Sequence, residues 1–209
     1  MNRALVLSGG GARGAFQVGM LRELVINQGL DFQIIRGVSV GSLNAAFLAQ
    51  APTGADSQAE LAKKVGELLN LWQNEITGNH SIYADRTGFP GLVVGADSLY
   101  SLKPLRSLVE NNLSIDAIKS SGRDFAVGTV SLVSGRYEEW RAGDDAFFER
   151  FIASSSIPVV FPYVDIPDKD DVLVDGGVRN VTPLTSAFRA IAHGEEIAKD
   201  SAKWLWPPK

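Results

Sequence analysis

Three short stretches carry residue types whose spacing suits chemistry. Gly9-Gly10-Gly11-Ala12-Arg13-Gly14 follows a short apolar run, and Gly9, Gly11 and Gly14 fit G-x-G-x-x-G. Such a turn offers backbone N–H groups to an anion at a helix start. Gly37-Val38-Ser39-Val40-Gly41 fits G-x-S-x-G between an expected strand and an expected helix. In that context small residues permit a tight, strained turn that lifts the serine hydroxyl clear of the main chain. Asp175-Gly176-Gly177 closes a short apolar run, so an aspartate at a strand end can point into a cleft. Each stretch also has a plain structural use. Ser39 suits a helix cap, Asp175-Gly176 an ordinary turn, and Arg13 an exposed first-turn position.

The residues downstream of the glycine loop decide which anion it serves. A dinucleotide site wants an acidic residue about twenty positions on, at the end of the next strand. Asp31 precedes that strand, and Gly37-Val38-Ser39 comes after it. A candidate nucleophile therefore stands where the ribose partner should be. The N–H groups of Gly10, Gly11 and Ala12 then face an oxyanion, with the helix start near Gly14 adding to the field. Serine needs a base. Only two histidines exist, and His80 lies in an irregular stretch. His193 gives the chain order Ser, Asp, His of an α/β-hydrolase triad, but it also sits beside Gly194 at an expected helix end, where a cation suits the dipole. Asp175 acting directly as base is the alternative. Asp168, Asp170 and Asp171 read as a solvated turn.

These residues need elements to hold them. Ala4–Leu7 and Phe32–Arg36 read as strands. Apolar residues from Phe16 to Val25 recur at helical spacing and Gly29 ends that helix, while Ser42–Gln50 reads as a buried helix. Strand, turn, helix, strand, turn, helix predicts a parallel or mostly parallel sheet with helices on its faces. Ser57 and Glu60 have capping-box spacing before a stripe of Leu61, Val65, Leu68, Trp72 and Ile76. Residues 78–104 show no clear period and suit a binding loop or lid. Leu105–Leu113 and Ile115–Lys119 suggest short helices, residues 124–140 two strands turning at Ser134-Gly135, and Asp144–Ser154 a helix. Val159–Ile166 and Val172–Val174 read as strands and Pro183–Ala192 as the last helix.

Composition narrows the function classes. The chain has 209 residues, 45% of them hydrophobic, without an internal repeat or an evident linker, which suits one domain over 1–209. A net charge of −4 disfavours a general nucleic-acid surface. The absence of cysteine removes disulfides, thiol catalysis and Cys-based zinc sites. The N-terminus lacks a signal-peptide pattern, and no run is long enough to span a membrane. A cytoplasmic protein with room for peripheral membrane contact is the expectation.

The glycine loop (Gly9–Gly14), Gly37–Gly41 and Asp175–Gly177, in this order, resemble the patatin-like phospholipase family. "ASSSIPVVFP" (Ala153–Pro162) and "NVTPLTSAFRAIAHG" look like the segments that flank that family's aspartate motif. The likeness runs from Leu5 to about Gly194. The resemblance implies a three-layer α/β/α fold with a mostly parallel central sheet. It implies a Ser39–Asp175 dyad and an oxyanion hole over Gly9–Gly14. It also implies hydrolysis of phospholipid, lysophospholipid or other acyl esters with no cofactor or required metal. The readings kept beside it are the Ser39–Asp175–His193 triad, a catalytically silent lipid-binding relative, and a nucleotide-binding protein. One departure stands out. Residues 196–209 are charged and end in Trp204, Leu205 and Trp206 with two prolines, where the family continues into an apolar strand. Those indoles suit either a lipid interface or docking on the domain itself.

Overall fold

The computed structural model describes residues 3–85, 98–166 and 169–198, with side chains as far as residue 193. Eight strands occur among them: β1 (Ala4–Leu7), β2 (Ile34–Gly37), β3 (Ala84–Asp85), β4 (Tyr100–Ser101), β5 (Asp124–Ser131), β6 (Tyr137–Trp140), β7 (Val164–Asp165) and β8 (Val172–Asp175). The described α-helices are α1 (Gly14–Leu21), α2 (Val40–Ala49), α3 (Ser57–Asn74), α4 (Lys103–Asn112), α5 (Ile115–Ser120), α6 (Phe147–Ala153) and α7 (Leu184–Ala198).

The central sheet runs β1-β2-β5-β8-β7, with β6 also paired to β5. Its core is parallel: Leu7 pairs with Gly37, and Gly37 with Val127. The strands β6 and β8 join β5 antiparallel, and β7 joins β8 likewise. The parallel strands are apolar because both faces are covered. Ile35 belongs to the core that α2 fills with Ala45, Ala46 and Leu48, and α1 and α3 stack over α2. The next residue, Arg36, points the other way and donates to Ser186 on α7 at 2.8 Å. Helices thus lie on both faces of the sheet, as the strand–helix alternation predicts. The pair β3–β4 forms a small separate sheet.

Local departures have physical reasons. The first helix enters through a 3-10 turn (Gly11–Arg13) and leaves through a π-helical stretch (Arg22–Asn27) before Gly29 turns at φ +67°. Ser57 does not make the expected capping box. Asp56 holds the cap position of α3, and the Ser57 hydroxyl instead donates to Asp31 at 2.7 Å. The stripe on α3 is buried at Leu61, Val65 and Leu68, joined by Leu71, whereas Trp72 is only partly buried and Ile76 lies past the helix. Of Val159–Ile166 only Val164–Asp165 is strand. Val159 turns at φ +70°, and its carbonyl accepts from Leu99. The last helix continues beyond Ala192 to Ala198, so Gly194 does not end it. Asp168, Trp204, Trp206 and residues 86–97 lie outside the described residues.

Candidate active site

Ser39 sits in the crossover from β2 to α2 at φ 57°, ψ −132°, a backbone conformation that a residue with a Cβ adopts only under constraint. The constraint is close packing of its flanks. A Cβ on Gly41 would stand 2.1 Å from the Leu7 carbonyl oxygen, and one on Gly37 2.6 Å from that of Gly41. Ser39 is the cap residue of α2, yet its side chain makes no capping hydrogen bond. Its carbonyl accepts from the Ser42 N–H and hydroxyl at 2.8 and 2.6 Å, and its N–H donates to Ser154 Oγ at 3.1 Å. The hydroxyl is thereby left for other chemistry, at the positive end of a buried helix.

Asp175 ends β8 and is 3% exposed. Its N–H donates to the Ser156 carbonyl at 2.9 Å, and its Oδ1 accepts from the Gly177 N–H at 2.7 Å. Burial pushes the carboxyl pKa above the ordinary aspartate value. Hydrogen bonds from the Ser39 hydroxyl and the Gly177 N–H partly offset that rise. The sheet order therefore brings Ser39 and Asp175, 136 positions apart in the chain, into hydrogen-bonding reach. Gly176 permits the turn after them, since a Cβ there would meet the Gly128 carbonyl at 2.5 Å.

The six residues of the glycine loop divide their work. Gly9 is tied down, its N–H donating to the Val181 carbonyl at 3.0 Å. A Cβ at Gly9 would lie 3.2 Å from Ser39 Cβ, so the loop passes directly beside the serine. Gly14 is a packing position. A Cβ there would fall 2.3 Å from Val40 and 2.8 Å from Trp72. Gly10 and Arg13 are exposed, and the Arg13 N–H donates to the Gly10 carbonyl at 3.2 Å. Gly11 and Ala12 line the same cavity as Ser39, and as first-turn residues their N–H groups have no partner inside the helix.

That cavity measures about 310 Å³. It has apolar walls from α2, α3 and α4, among them Leu43, Phe47, Leu68, Leu71 and Leu105. The size falls at the lower end for small-ligand sites, about 300–1,000 Å³. A saturated amide network braces it. Asn44 Oδ1 accepts from Trp72 Nε1 at 2.9 Å, and its Nδ2 donates to the Gly14 carbonyl and to Gln17. Gln17 in turn donates to the Ser8 carbonyl at 2.7 Å, just before the glycine loop. Sequence reasoning assigned no role to Asn44 or Ser154. The available signals were one amide inside an apolar helix and the serine run after α6.

The structure does not bring the histidines to Ser39. His80 is exposed in a 3-10 turn (Asn79–Ser81). His193 is exposed within α7, not at its end, and borders a separate polar cleft with Arg36 and Tyr137. Among the described residues no three His, Asp or Glu side chains cluster as metal ligands.

The sequence model of patatin-like phospholipases matches residues 5–188. The chain belongs to the patatin-like phospholipase family. It is 30% identical over 181 residues to a patatin-like phospholipase domain-containing protein of Caenorhabditis elegans, ZK370.4, covering 86% of this chain and 12% of that protein. It is 36% identical over 180 residues to the lysophospholipase nte1 of Aspergillus terreus, covering 85% of this chain and 10% of that protein. The chain thus spans about an eighth or less of these curated relatives. The crystal structure of VipD from Legionella pneumophila aligns with a TM-score of 0.48 at 13% identity, over 99% of this chain and 57% of that one.

Proposed function

We propose that this patatin-like domain is a serine acyl hydrolase that cleaves carboxylic esters of lipids, with Ser39 as nucleophile and Asp175 as its base. One observation carries the reading. The Ser39 hydroxyl neighbours the buried Asp175 carboxyl, and Ser39 lines an apolar cavity together with Gly11 and Ala12, the first-turn residues of the helix after β1. As Ser39 Oγ attacks the ester carbonyl, its proton passes to Asp175. The charge on the carbonyl oxygen is met by the Gly11 and Ala12 N–H groups. Collapse breaks the bond to the alcohol oxygen, which takes the proton back from Asp175. Water then gives its proton to Asp175 and attacks the acyl-serine, releasing the fatty acid. The apolar walls suit a fatty acyl chain. The names of the relatives suggest phospholipid or lysophospholipid substrates. Among the described residues no helix is long and apolar enough to cross a membrane.

The test is hydrolysis of a p-nitrophenyl acyl ester, followed by lipid-class profiling. Ser39→Ala and Asp175→Asn should each lower kcat/KM by about 10³-fold or more, since the two act as a unit. His193→Ala should leave it unchanged. Loss of activity in His193→Ala with near-normal Asp175→Asn would overturn the assignment.

A further inference from the structure

Among the described residues, one buried side-chain polar atom has no hydrogen-bond partner: the hydroxyl oxygen of Ser155. Its neighbours in the run are engaged. Ser154 Oγ donates to the Gly128 carbonyl at 2.7 Å and accepts from the Ser39 N–H. Ser156 Oγ donates back to the Ile152 carbonyl at 3.3 Å. Ser155 is 7% exposed and lines the cavity that holds Ser39. A serine so placed has the option of bonding a carbonyl of the preceding turn, as Ser156 does, and Ser155 does not take it. A buried unmade hydrogen bond is unfavourable, so an uncommitted, shielded hydroxyl on a residue that lines the cavity points to a partner that arrives with the ligand.

The sheet order says which part of an ester would meet it. The glycine loop follows β1, Ser39 follows β2, and Asp175 ends β8, with β5 between the last two. The Gly11 and Ala12 N–H groups therefore lie on the β1 side of Ser39. The serine run lies on the other side. Ser154 is bonded to Gly128 of β5, and the Ser156 carbonyl to the N–H of Asp175. The carbonyl oxygen has its donors on the first side. The alcohol oxygen must lie toward Asp175, which returns the proton to it. Ser155 flanks that second side.

We propose that the Ser155 hydroxyl donates a hydrogen bond to the alcohol (leaving-group) oxygen of the ester. The inference rests on the acyl-hydrolase reading above. As the carbon–oxygen bond breaks, the electron pair moves onto that oxygen and the proton comes from Asp175. Ser155 keeps its own proton and stabilises the growing charge. The Ser155 oxygen is shielded in the unliganded structure, so the contact requires its side chain to turn about the Cα–Cβ bond to another staggered position.

The donor should matter in proportion to how badly the alcohol leaves. For one acyl chain, kcat/KM is measured on the p-nitrophenyl ester, whose phenolate leaves unaided, and on a simple alkyl ester, whose alkoxide does not. Ser155→Ala should lose about 10- to 100-fold on the alkyl ester and less than about 3-fold on the p-nitrophenyl ester. Ser155→Thr, which keeps the hydroxyl, should recover part of the alkyl activity. The Tm of Ser155→Ala should equal or exceed that of the wild type, because no bond is lost. Equal losses on both esters, no loss on either, or a lower Tm would each overturn the role while leaving the hydrolase reading standing. A wild type that turns over neither ester would instead bring down the hydrolase reading, and this role with it.

Discussion

Asp175 illustrates how one buried group couples stability to reactivity. Its carboxyl titrates above the ordinary aspartate value because burial disfavours the charge, and the Ser39 and Gly177 donors only partly compensate. A group whose folded pKa exceeds its unfolded value stabilises the fold most in acid and loses that contribution as pH rises through the folded pKa. At neutral pH the wild type therefore holds a disfavoured carboxylate that Asp175→Asn does not. The variant should have the higher Tm near pH 8, and the gap should shrink toward pH 4, measured by thermal melts across that range. A lower Tm at pH 8 would show that the carboxylate is better solvated by its neighbours than its burial implies. Under the proposed mechanism the same shift sets the acid limb of activity. As the proposed base, Asp175 must be ionised, so kcat/KM should begin to fall at a pH above the range of a free aspartate. The place of Asp175 at the end of a strand was legible in the sequence from the apolar run before it and Gly176-Gly177 after it. Its perturbed titration was not, because the desolvating atoms come from other segments.

The turn between β2 and α2 works through contacts between elements. The chain must bring α2 against the end of β1, and it does so where Gly41 lacks a side chain. A methyl there would stand 2.1 Å from the Leu7 carbonyl oxygen, a backbone atom fixed by the pairing of Leu7 with Gly37. Gly41→Ala should consequently cost well over about 1 kcal/mol, as strain at a special backbone position does, and remove most of the proposed esterase activity by displacing Ser39. Chemical denaturation alongside the ester assay checks both. Unchanged stability would mean that the β1 end yields easily. Elements fixed by local pattern were legible. Ala4–Leu7 was bounded by its glycines, and the helix around "SLNAAFLAQ" by its uniform apolarity. Elements fixed by partners were not. Val159–Ile166 looked like a strand, but its carbonyls serve Leu99 and Tyr100 across a pairing that no local period encodes. Ser57 and Glu60 had capping-box spacing, yet Asp31 competes for the Ser57 hydroxyl.

At the scale of the molecule, the site is legible where its motifs are short and illegible where distant segments meet. Nothing around Arg123 announces a role, yet its fully buried guanidinium ties four segments together. It pairs with Asp31 at 2.8 Å ahead of β2 and donates to the Ala51 carbonyl at 2.7 Å after α2. It also donates to the Phe32 carbonyl, and to both the carbonyl and hydroxyl of Ser57 at the start of α3. The clamp holds the far end of the parallel sheet, away from Ser39. Burial alone would raise the Asp31 pKa, but the Ser57 and Arg123 bonds together pull it below the ordinary aspartate value. A depressed carboxyl contributes stability that is present above the unfolded pKa and lost as pH falls through the folded one. Arg123→Met removes the partner and leaves several carbonyls and a carboxylate unanswered, so it should cost about 3–5 kcal/mol, a large share of the roughly 5–15 kcal/mol that holds a domain together. Arg123→Lys should recover little, because an ammonium cannot span the same fork of acceptors. Denaturant titrations at pH 7 and pH 3 test the clamp in both states. The gap between wild type and Arg123→Met should be wide at pH 7 and narrower at pH 3, which lies below the ordinary aspartate value, so that part of the ion pair's contribution is lost. An equal gap at both values would assign the loss to the carbonyl bonds alone and remove the ion pair from the account.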